Sequence, residues 1–171
     1  MIATAVKTAP SGHQPQRNAG TSGAARAAEL LAANINPKTG LATDYLNHFN
    51  EAIMLLEMIP DMPDCAADFL CWQPLSYREH FTGSNFKARD LAISAYESAD
   101  PSVREEFDRL TATMTSILTA VGTAMCEAQQ DRTRSILAEQ ATGWVKPLVA
   151  LAGGIINGRG GEPDVDYIMT H

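Results

Sequence analysis

Asp44, His48 and Glu51 stand four and three residues apart in the stretch TDYLNHFNEAIMLLEM, Thr43 to Met58. On a helix that advances about 100° per residue, the three side chains share one face within roughly 60°. Leu55 and Met58 continue that face, where a solvated face would continue with Lys, Glu or Gln. The face is therefore expected to meet another helix or another chain. A partly desolvated carboxylate–imidazole–carboxylate set suits a metal-ligand group, a proton-transfer pair, or a polar seam between packed helices. Asp, His and Glu donors suit Fe, Mn or Zn, so the implied cofactor is a divalent transition metal. Polar triples at these spacings are common on helices, and a seam is their commonest use.

A metal needs further ligands, and Glu79 and His80 are the nearest candidates in type and spacing. Di-metal carboxylate bundles use Glu-x-x-His, with Glu ahead of His. Here the order is His48-x-x-Glu51, and two of the four histidines, His13 and His171, lie near the ends of the chain. A full di-metal centre is not expected. The candidate metal set is His48, Asp44, Glu51, His80 and Glu79.

The run YREHFTGSNFKARDL puts Gly83, Ser84 and Lys87 after His80. It loosely resembles the phosphoryl-accepting helix of histidine phosphotransfer domains, which are helical bundles of similar size. That family places Lys and Gly three and four residues after its histidine. Gly83 and Ser84 hold those positions here, and the lysine comes seven on. The resemblance implies a phosphoryl-accepting His80 on a regular helix. No Walker loop, dinucleotide fingerprint or nucleophile elbow occurs.

The elements that would carry these residues are helical. Leu41, Tyr45, Phe49, Ala52, Leu56 and Ile59 form the apolar arc of a helix from about Leu41 to Met58. A short helix lies between Pro63 and Pro74. Ser76 and Glu79 have the spacing of a capping box. The stripe Tyr77, Phe81, Ser84, Ala88, Leu91 and Ala95 predicts one helix from Tyr77 to about Ser98. Asp100-Pro101 reads as an N-cap followed by an N1 proline. Phe107 through Met125 then supply the clearest apolar arc in the chain.

The polar run EAQQDRTRS, Glu127 to Ser135, interrupts that arc without a Gly or Pro. Apolar residues return about 120° round the helix. Either a turn hides near Asp131, or one long helix packs on two neighbours. In the second case Leu137, Trp144, Val145, Leu148 and Leu151 would need a partner surface, simplest as a second copy of the chain.

The expected fold is all-α, an up-and-down bundle of four to five helices spanning residues 29–157. A disordered, acid-free arm at 1–28 and a loose tail at 158–171 flank it. The 171 residues carry a formal net charge of −7. That charge opposes nucleic-acid binding and docking on anionic membranes. The three cysteines match no zinc spacing and suit a reducing compartment, so the expected location is the cytoplasm. These features favour a non-enzymatic interaction or regulatory protein acting as a homodimer or with another helical protein. A metal-binding or catalytic bundle centred on His48 is the alternative, and phosphotransfer through His80 is a second.

Overall fold

A computed structural model describes residues 18–159 and is all-α, with seven α-helices among the described residues. They are α1 (Asn18–Ala32), α2 (Leu46–Met58), α3 (Cys65–Cys71), α4 (Tyr77–Gly83), α5 (Arg89–Glu97), α6 (Pro101–Glu127) and α7 (Asp131–Ile156). A 3-10 turn, Thr43–Tyr45, leads into α2. The long antiparallel pair α6–α7 forms one layer, with α2 packed on α7 and α3 packed on α6. The core between the layers is built from Phe49, Leu56, Phe81, Phe107, Met114 and Met125, all fully buried. Among the described residues no helix is long and apolar enough to cross a membrane.

Local sequence explains two of the helix starts. Asp100 accepts from the Ser102 N–H at 2.8 Å and from the Val103 N–H at 3.4 Å, with Pro101 at N1. Ser76 and Glu79 form the reciprocal capping box at the start of α4. In both cases side chains satisfy N–H groups that the first helical turn leaves unpaired.

Two expectations are corrected and one open alternative is resolved. The single helix anticipated over Tyr77–Ser98 is two helices, because α4 ends at Gly83 and α5 starts at Arg89. Ser84 Oγ donates to the Phe81 carbonyl at 3.0 Å and accepts from the Phe86 N–H at 3.2 Å. A serine that bonds its own backbone in this way competes with helix continuation. Phe86 then folds onto Phe81, ring centroids 5.3 Å apart. As a result Ala92, not Leu91, enters the core of α5.

Next, the chain turns between Glu127 and Asp131, so α7 folds back on its own bundle. Neither Gly nor Pro makes this turn. Arg134 does the stapling instead: its Nη2 donates to the Ala128 carbonyl at 2.7 Å and its Nε to the Met125 carbonyl at 3.3 Å. A guanidinium thus satisfies C-terminal carbonyls of α6 and complements the negative end of its dipole.

Finally, seven helices replace the expected four to five, since short α3, α4 and α5 bridge the long ones and α1 begins inside the stretch expected to be an arm. The remainder of that arm, and most of the expected tail, lie outside the described residues.

Candidate functional site

The site forms where the 3-10 turn, the start of α2, the strap Trp72–Ser76 and α4 meet. Tyr45 and His48 are buried from the first of these segments, on the side that faces the bundle. The strap has no helical hydrogen bonds of its own to offer, so its polar groups bond to the helix beneath it. The Trp72 indole N–H donates to the His48 carbonyl at 3.0 Å. The Leu75 N–H donates to His48 Nε2 at 2.9 Å, and the Tyr45 hydroxyl donates to the Leu75 carbonyl at 2.6 Å. Trp72 stacks on the imidazole, ring centroids 4.6 Å apart and planes 24° off parallel.

An imidazole that accepts an N–H at Nε2 carries its proton on Nδ1 and is neutral. His48 is 5% exposed. Burial, with a smaller contribution from the neighbouring His80, pushes its pKa down to about 4. Both observations describe a histidine used as a fixed hydrogen-bond acceptor.

His80 has the other imidazole. Its Nε2 lies 3.0 Å from Asp44 Oδ2, and its side chain is 14% exposed. Tyr45, Phe81 and His48 surround the ring. Asp44 therefore pairs across to α4 instead of along its own helix to His48. Burial holds the phenols of Tyr45 and Tyr77 above their ordinary range, so both remain protonated.

The five residues of the anticipated metal set separate in space by role. Asp44 and His80 come together, and His48 lies beside His80 with its Nε2 occupied. Glu51 is exposed on α2 with no partner from the strap or α4 among the described residues, and the Glu79 carboxylate accepts from the Ser76 N–H as part of the capping box. Among the described residues no group of three His, Cys, Asp or Glu side chains is arranged to hold a metal ion. Phosphoryl transfer fits poorly as well: α4 has only seven residues, Lys87 lies beyond its end, and Asp44 covers His80 Nε2. What the arrangement does well is lock the strap to α2.

Sequence reasoning passes over Leu75, Tyr96 and Asp108, and it reads Trp72 and Tyr77 only as packing residues. Tyr77 accepts the Ala42 N–H at 3.0 Å, and the Tyr96 hydroxyl meets both oxygens of Asp108 at 2.7 and 2.8 Å. The one available signal was the clustering of Trp72, Pro74 and Tyr77 in a short inter-helix segment.

Of the anticipated interface residues, Val145 is fully buried in its own bundle, and Leu137 and Leu148 are half-buried. Trp144 and Leu151 remain 55% and 57% exposed, and Ile136, not anticipated, is 46% exposed. Comparison of the chain with protein-family models, with curated proteins and with solved structures finds no match in any of the three.

Proposed function

We propose that this chain is a non-enzymatic interaction protein that works as a homodimer, two copies meeting through the outer faces of their α6–α7 layers. The observation that supports this most is the composition of those faces. Ile136, Gln140, Trp144, Pro147 and Leu151 fall within about 80° on α7, away from the core. Between Ile136 and Ile156 the only charges are Glu139 and Lys146, and Lys146 pairs with Glu57 of α2. On α6, Leu110 to Cys126 contains no charge at all. In a chain of net charge −7, a layer with so little charge leaves Ile136, Trp144 and Leu151 as an exposed apolar stripe on α7 beside an uncharged stretch of α6.

Area favours a second copy as the occupant. Two helices of 27 and 26 residues side by side present a face of roughly 40 by 20 Å, about 800 Å² per partner, the size of a standard stable interface. The large anchors, Trp144 and Leu151, would meet small groups such as Thr113 and Ala120, both exposed on α6, if α7 of one copy lies along α6 of the other. Light scattering at micromolar concentration tests this. A mass of twice 18.4 kDa is expected, and Leu151→Glu should shift it to the monomer with the helical spectrum unchanged. A wild-type mass of 18.4 kDa overturns the homodimer and leaves a different helical protein as the partner to seek.

A further inference from the structure

A second feature, independent of that interface, is a cavity of about 480 Å³ between the strap and α6. Pro74, Leu75 and Tyr77 form one wall; Asp108, Ala112 and Thr115 form the other. Its volume lies in the usual range for small-molecule sites, roughly 300–1,000 Å³. We propose that it binds a small organic ammonium ion, with the ammonium on Asp108 and the hydrocarbon portion along Pro74, Leu75 and Ala112.

The warrant is a carboxylate without a counter-charge. Asp108 is half-buried, and no ion pair among the described residues engages it. Its partner is a neutral group: the Tyr96 hydroxyl supplies one proton to two oxygens. The cation best placed to neutralise it, Arg104 one helical turn earlier, is used elsewhere. Arg104 donates to the Glu97 carbonyl at 3.1 Å and lies over the Tyr96 ring, 5.6 Å from its centroid. The charge of Asp108 helps hold the phenols of Tyr45 and Tyr96 above their ordinary range, so its negative potential reaches both.

The remaining chemistry selects the class. One carboxylate is too few oxygen ligands for a divalent cation, which takes six or more. The Tyr96 ring already packs on Tyr77, centroids 4.5 Å apart, and carries the Arg104 guanidinium, so it is poorly placed to take a quaternary ammonium as well. A primary ammonium instead offers N–H donors for Asp108 and for the hydroxyls of Thr115 and Ser116 on the same wall.

NMR titration of the full chain at fixed salt tests the proposal, with n-butylammonium as probe and n-butanol as its neutral isostere. Saturable shifts at the Ala112 and Thr115 amides are expected with the ammonium. The alcohol should bind at least tenfold more weakly, as should the ammonium to Asp108→Asn, which keeps an acceptor for Tyr96. Equal shifts with alcohol and ammonium would overturn the proposal in favour of a merely apolar groove. Shifts that persist in Asp108→Asn and spread over the acidic surface would overturn it in favour of non-specific attraction. Should Asp108→Asn fail to fold, the alcohol comparison on the wild-type chain decides alone.

Discussion

At the scale of single residues, His48 sets a clear pH dependence. Its folded pKa of about 4 lies below the ordinary value of 6.5. Above pH 6.5 the ring is neutral folded or unfolded, and its contribution is fully present. As pH falls from 6.5 through 4 the unfolded chain takes up the proton first, and stability is lost by up to about 3 kcal/mol. His48→Gln retains an acceptor for the Leu75 N–H but does not titrate. Urea unfolding at pH 7 and pH 4 should therefore show a smaller drop for the variant than for the wild type; equal drops would assign the acid sensitivity to other groups. The Asp44–His80 contact gives a second case. Asp44→Ala leaves His80 without its partner in a mostly buried setting and should cost about 1–3 kcal/mol at pH 7, measured the same way. The spacing of Asp44, His48 and Glu51 made a polar face legible in the sequence. It pointed to His80 by residue type alone and did not reveal Leu75, which arrives 27 residues beyond His48 on a strap with no periodic pattern.

Among the elements, legibility followed the strength of the local signal. The capping box at Ser76, the Asp100-Pro101 start and the Phe107–Met125 arc were readable because side chain and backbone agree there. The break after Gly83 was not, and the turn before Asp131 was legible only as one of two alternatives. Ser84 ends one helix through hydrogen bonds to its own backbone, and Arg134 closes the other turn from six residues further on. Neither leaves a Gly-Pro signature. Glycines also differ in what they do here. Gly40 has φ +70°, and a Cβ there would come within 2.7 Å of the Ala95 carbonyl oxygen. Gly40→Ala should destabilise by about 2–4 kcal/mol through strain and overlap. A Cβ added at Gly122, within α6, would meet Leu70 and Phe69 at 3.9 and 4.0 Å, ordinary contact distance. Gly122→Ala should instead stabilise by about 0.5–1 kcal/mol. Thermal unfolding of the two variants beside the wild type checks both signs.

For the molecule as a whole, the two tryptophans report on different surfaces, since Trp72 is stacked on His48 and Trp144 faces outward. In Trp72→Phe, Trp144 is the sole fluorophore, and the lost indole donor costs only about 1 kcal/mol. Its emission should move to shorter wavelength as protein concentration rises, if copies associate through the outer layer. A spectrum independent of concentration from nanomolar to tens of micromolar would count against that association. The long-range ties also order the molecule in time. The Thr39 hydroxyl donates to the Ile156 carbonyl across 117 residues of chain. A ribosome adds about 5–20 residues per second, so the loop from Ile35 to Ala42 waits on the order of ten seconds after its own synthesis for the helix end that holds it. During that interval Ile35 and Leu41, fully buried in the finished fold, lie in a loop that has not yet gained its tie to the end of α7. The nascent chain is thus most exposed to misassociation at its first-made core residues, and a chaperone acting on it would find its binding site there.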